Sequence, residues 1–178
     1  STQSRSSAAS DVYKRQANIA TLTNQTIAAS PGSFFSEYTL TTNPIQSNTT
    51  VSQQYTVKNI EISYEIESSQ GLGNIEGLTS YIMYVPQGMT VTETYPNNHP
   101  EYIMAYRFLG SPNYDNSSVG TSNNPQQGRN PLKIRTRLAR RLQTGDSIIL
   151  LIVGLNTNSS SNISLEYNGI VRWWTKAN

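Results

Sequence analysis

The sequence predicts an all-β chain, a sandwich or jelly roll of about seven or eight strands, and three observations predict it. Apolar residues recur with a period of two in short runs. Pro, Gly and Asn breaks separate those runs at strand-like spacing. The composition, with 11 Tyr and many Ile, Val and Thr, suits pleated surfaces. No stretch carries the sustained periodicity of a long helix. At 178 residues the length suits one domain with a single core.

One segment is set apart before the strands begin. Residues 6–16, SSAASDVYKRQ, match residue for residue one reading frame of a widely used transposase-based sequencing adapter. Residues 1–16 are therefore treated as a non-native, disordered segment, as a cloning scar would be. A single domain is expected over residues 17–178. The exclusion changes the charge. The whole chain carries 13 Lys and Arg against 11 Asp and Glu. Without Arg5, Lys14, Arg15 and Asp11, ten basic residues face ten acidic ones, so net charge gives no evidence for a nucleic-acid partner.

From Ala17 onward, NIATLT and FFSEYTL read as short strands, with the polar NQTIAASPGS as a loop between them. YTVKNIEISYEIES carries the clearest alternation. Ile60, Ile62, Tyr64 and Ile66 share one face, and Glu61, Ser63, Glu65 and Glu67 the other. Tyr55 and Val57 are in the opposite phase, which predicts a bulge near Lys58 and Asn59. TSYIMYV follows the Gly-rich SQGLGNIEG, and EYIMAYRFLG follows a loop ending in NNHP. Both are apolar on both faces, as strands covered on two sides should be. A long polar loop, SPNYDNSSVGTSNNPQQGRN, comes next; loops of this length usually carry function or disorder.

PLKIRTRLARRLQTGDSIILLIVGLN is basic in its first half and apolar in its second. As a helix it would align Ile134, Leu138 and Leu142. As a strand it sends Lys133, Arg135 and Arg137 one way and Ile134, Thr136 and Leu138 the other. Pro131, the β-branched residues and a turn at Thr144-Gly145-Asp146 favour a strand pair. The apolar half is too short to cross a bilayer as a helix, which needs about 20 residues. In NISLEYNGIVRWWTKAN, Asn168-Gly169 suggests a bulge in a final strand.

Catalytic patterns are sparse. There is no cysteine, which excludes disulfides, thiolate metal sites and a Cys nucleophile. The one histidine, His99, precedes a proline with no G-x-S-x-G nearby and reads as a loop residue. Glu61 and Glu65 sit on the polar face of a strand, where solvated charge is their expected role. The Asn-x-Ser/Thr triplets at Asn24, Asn48, Asn116, Asn158 and Asn162 follow from a composition rich in those residues. No enzyme, cofactor, metal site or membrane insertion is expected.

Charge is segregated. Arg129, Lys133, Arg135, Arg137, Arg140 and Arg141 have no acid between them, whereas residues 30–127 hold eight acids against Lys58 and Arg107. Clustered Lys and Arg suffice for phosphate contact without base specificity. Lys133, Arg135, Arg137, Arg140 and Arg141 are therefore candidates for nucleic-acid binding, with a solvated face or intersubunit ion pairs as the alternative. Trp173 and Trp174 are adjacent on a strand and must point oppositely. At most one enters the domain's own core. The other, with Arg172 beside the pair, is a candidate for a subunit interface, where Trp is enriched.

TSYIMYVPQG, HPEYIMAYRFLG, LARRLQTGDSIILLIVGLN and GIVRWWTKAN together resemble capsid proteins of small circular Rep-encoding single-stranded DNA (CRESS-DNA) viruses. The strand layout is similar to the single jelly-roll capsids of circoviruses and plant satellite viruses. The resemblance implies an eight-stranded jelly roll and a virion component. It implies sixty copies closing into an icosahedral shell around a single-stranded DNA genome, so the expected partners are further copies of the chain and single-stranded nucleic acid. Such families place an Arg-rich arm before the first strand. Upstream of Ala17 this sequence has only the adapter and STQSR, so assembly with little or no packaging is expected. The alternative is an extracellular carbohydrate-binding sandwich or fibre-head lectin, which the Tyr, Trp and Asn content also suits. A β-sandwich hydrolase ranks third.

Overall fold

A computed structural model describes residues 15–43, 55–68, 74–110 and 132–177. Nine strands and two short helical turns follow in order: β1 Arg15–Ala29, β2 Gly32–Thr42, β3 Tyr55–Ser68, β4 Ile75–Val85, α1 Tyr95–Asn98, a 3-10 turn Pro100–Tyr102, β5 Ile103–Gly110, β6 Leu132–Thr136, β7 Arg140–Leu142, β8 Ser147–Asn156 and β9 Ile163–Ala177. One sheet has the order β1-β9-β3-β6, with β7 also on β3; the other is β2-β8-β4-β5. All pairings are antiparallel.

β6 and β7 lie end to end along β3, on Ile60–Tyr64 and Tyr55–Val57 respectively. They are one strand interrupted at residues 137–139, opposite the break in β3. Counted so, the sandwich has four strands in each sheet. The chain changes sheet at every connection except β4 to β5, giving the interleaved order of a jelly roll. The fold is therefore an all-β jelly-roll sandwich, and the strand-pair expectation for the basic stretch holds over the helical one.

The phase change in β3 is a bulge. Register slips between Lys58 and Glu61 against β9, Asn59 adopts φ 52, and Val57 and Ile60 both enter the core. Asparagine tolerates the left-handed region better than most residues, so the bulge sits where the sequence permits it.

β8 explains the membrane-like run. Ile148, Leu150 and Ile152 enter the main core between the sheets, while Ile149 and Leu151 join Met83, Val85, Val91 and Tyr95 under the segment holding α1. A central strand covered on both faces reads as continuous apolar sequence. Tyr64 links the layers across the core by donating to Ser80 Oγ at 2.6 Å.

Five sequence expectations are corrected. β1 runs through Asn24 to Ala29, so the polar NQT is strand: a two-for-one bulge absorbs Thr23 and Asn24 opposite Asn168, with Asn24 N–H donating to Asn168 Oδ1 at 2.7 Å. The bulge assigned to Asn168-Gly169 thus belongs to the facing strand. Ile75-Glu76-Gly77 of the Gly-rich stretch join β4, with a register shift between Glu76 and Thr79, where Gly77 has φ 61. β5 is an edge strand, and Tyr106 and Phe108 are each 67% exposed instead of covered. β1 also begins at Arg15, with Arg15 and Gln16 paired to Lys176 and Thr175; ladder bonds are made by any backbone, so β9 templates two residues of the segment set apart. The remainder of that segment and the loop 111–131, with Arg129, lie outside the described residues.

One end of the sandwich is closed by a buried carboxylate. Asp146, 5% exposed, accepts from Tyr84 Oη at 2.6 Å, Gln143 N–H at 2.8 Å and Gln87 N–H at 3.0 Å. Asn43 at the end of β2 is bound through its N–H to Asp146 O and its O to Gly145 N–H. Gly145 is required twice over: φ is 87°, and a Cβ there would meet the Gln87 side chain at 2.6 Å. Arg140 lies 4.0 Å over the Tyr84 ring. His99 stacks on Tyr102 at 5.3 Å and packs on Tyr95, a loop role as its sequence context suggests.

This end carries an alkaline prediction. Burial, and then the hydrogen bond to Asp146, push Tyr84 up to about 12; burial, with Tyr102 and Glu101 nearby, does the same for Tyr95. A phenol whose pKa is higher folded than unfolded stabilises the fold below about pH 10, and that contribution disappears as pH rises through about 12. Unfolding followed by tyrosinate absorbance should therefore show a stability loss between those limits, smaller in Tyr84→Phe. Titration of all tyrosines near pH 10 in the folded protein would refute it.

Candidate nucleic-acid interface

Register decides which charged residues meet. In an antiparallel pair, facing residues project to the same side, about 4.5–5.5 Å apart. On the outer face of the β1-β9-β3-β6 sheet, Thr56 lies between Lys176 of β9 and Arg141 of β7. Lys58 faces Trp174. Glu61 lies between Arg172 of β9 and Arg135 of β6, and Ser63 between Ile170 and Lys133. Glu65 and Asn168 follow, with Glu166 beyond them on β9.

Lys58, Lys133, Arg135, Arg141, Arg172 and Lys176 thus share one end of this face, with Glu61 as the acid among them. Glu65 and Glu166 occupy the other end. A shallow open depression lined by Thr21, Ser63, Glu65, Asn168 and Ile170 lies between the two. Arg135 Nε approaches Glu61 Oε2 at 3.9 Å, the one ion pair on this face among the described residues. At that distance and exposure the pair neutralises little. The basic end presents surplus positive charge to solvent in an open arrangement, which is what phosphate contact requires.

The sequence candidates divide. Lys133, Arg135 and Arg141 lie on this face and are exposed. Arg137 is exposed in the gap between β6 and β7, outside the ladder. Arg140 leaves the group: it pairs with buried Val57, so its side chain starts inward and reaches over the sandwich end onto Tyr84 and Tyr102. Of the interface candidates, Trp173 packs against the core, whereas Trp174 is 44% exposed and Arg172 is exposed beside it. Lys58 and Lys176 join Lys133, Arg135 and Arg141 on this face. Their alternation phase was legible, but their proximity to the basic stretch depends on β3 lying between β6 and β9.

Among the described residues no group of three or more His, Asp or Glu side chains could hold a metal ion. No described helix is long and apolar enough to cross a membrane.

No family model matches the chain, and the search of curated proteins finds no match. Among solved structures, the chain is similar to infectious bursal disease virus Gx strain at 12% identity and TM-score 0.35, over 89% of this chain and 32% of that one. It therefore spans about a third of that chain's length. It is similar to Desmodium yellow mottle tymovirus at 12% identity and TM-score 0.34, over 92% and 88% of the two chains. It is similar to the decameric BFDV capsid protein at 7% identity and TM-score 0.27, over 92% and 95%. At these scores the likenesses add nothing to the strand order, which establishes the jelly roll independently.

Proposed function

We propose that this chain is the coat subunit of a small single-stranded DNA virus, assembling as sixty copies into an icosahedral shell. The observation that carries the proposal is a jelly roll whose one outer sheet face is basic at one end, without a catalytic or metal-binding constellation among the described residues. The sequence phrases that resemble CRESS-DNA virus capsids support it. Lys133, Arg135 and Arg141, with Lys176, face the packaged strand through its phosphates, without base specificity. Trp174 and Arg172 contact a neighbouring subunit.

A carbohydrate-binding sandwich is the second reading, favoured by the exposure of Tyr106 and Phe108 on β5, since aromatic faces suit sugar rings. Negative-stain microscopy of the purified protein separates the two. Uniform spherical particles are expected. A stable monomer that binds glycans would overturn the coat reading. Nuclease-resistant nucleic-acid absorbance in those particles would support the basic face as a phosphate site.

A further inference from the structure

The described residues include nine exposed large hydrophobic side chains, and seven fall into two groups on opposite outer faces. Phe35, Tyr106, Phe108 and Leu155 lie on the outer face of the β2-β8-β4-β5 sheet, joined by half-buried Val153. The segment holding α1 covers Ile149, Leu151 and Met83 on this same face and leaves the rest open. Ile19, Ile170 and Trp174 lie on the outer face of the other sheet, along β1 and β9.

Their charges are opposite. Exposed Glu37 and Glu76 lie on the β2-β8-β4-β5 face, opposite Leu151 and Leu155 of β8. Arg172 pairs directly with Ile19 between Trp174 and Ile170, and Lys58 lies opposite Trp174. Residues 111–131, which follow β5 in the sequence, hold Tyr114 and Val119 as their large apolar residues, too few to match the apolar face.

We infer that the Phe35/Phe108 face of one copy docks on the Ile19/Trp174 face of a second copy, with Glu37 and Glu76 meeting Arg172 and Lys58. This rests on the coat-subunit reading and names the surfaces through which its copies associate. A contact between two different faces is heterologous, so it propagates from copy to copy and closes into a ring when the rotation permits. A face-to-face pairing of either surface with itself would bring like charges together, which selects against it. Aromatic anchors within a charged rim are the composition expected of such an interface.

Complementation tests it. Phe35→Glu/Phe108→Glu spoils one face, and Ile19→Glu/Trp174→Glu spoils the other. Sedimentation velocity should show the unaltered chain as large oligomers and each variant alone as a monomer. An equimolar mixture of the two should form a species of twice the 19.7 kDa chain mass, because one intact face of each kind remains. A mixture that stays monomeric, or a variant that still self-associates, overturns the inference while leaving the coat reading in place. A monomeric unaltered chain overturns both. Circular dichroism identifies a misfolded variant, and the milder Phe35→Ser/Phe108→Ser and Ile19→Ser/Trp174→Ser pairs then repeat the test.

Discussion

Asp146→Ala is expected to destabilise the fold by about 3–5 kcal/mol, because it removes the acceptor of a phenol and two backbone N–H groups together. The three donors come from different elements. Tyr84 is on β4, Gln87 lies just after it, and Gln143 opens the turn into β8. The carboxylate therefore joins segments distant in sequence at the end of the sandwich, and its loss is not confined to one turn. For a domain of this size the change corresponds to a midpoint lowered by roughly 6–20 °C. Asp146→Asn keeps one acceptor oxygen and should lose less. Thermal and denaturant unfolding measure both; a loss below about 1 kcal/mol for the alanine variant would show that water replaces the carboxylate at little cost.

The second large effect concerns the basic face. The triple reversal Lys133→Glu/Arg135→Glu/Arg141→Glu should abolish most affinity for a single-stranded oligothymidylate. Salt titration of binding isolates the electrostatic part. Removing three phosphate contacts should reduce the slope of log affinity against log salt by about 2, at roughly 0.7 per contact for single strands. The reversed charges add repulsion, so the affinity at low salt should fall at least about tenfold. Arg137→Glu, outside the ladder, should change the slope by less than any single member of the triplet. Arg140→Glu should act on stability through Tyr84 and Tyr102 instead. An unchanged slope in the triple variant would remove this face from consideration as a phosphate site.

These two sites differ in how visible they were beforehand. The basic stretch was conspicuous because its residues are consecutive in sequence and lack intervening acids. Asp146 was legible as part of a turn and no more, since its partners at residues 84 and 87 lie about sixty positions away. The bulge at Lys58 and Asn59 was legible because a phase change in apolar alternation is local. The bulge at Thr23 and Asn24 was not, because polar NQT reads as a loop until β9 is present to pair with it.

Alternation, turn residues and composition determined by themselves that this protein is a β-sandwich, that β4 is covered on both faces, and that Trp173 and Trp174 part company. Those properties depend on which way successive side chains point, a geometry with a period of two that the chain carries locally. Tertiary structure alone decided which strands are neighbours. It placed Glu61 between Arg135 and Arg172, drew Arg140 away to an aromatic ring, brought Lys58 and Lys176 to the basic end, and left β5 at an edge with Tyr106 and Phe108 uncovered. Strand order and edge status arise from contacts between residues far apart in the chain, and the local pattern is the same for a central strand as for an edge one until its neighbours are known.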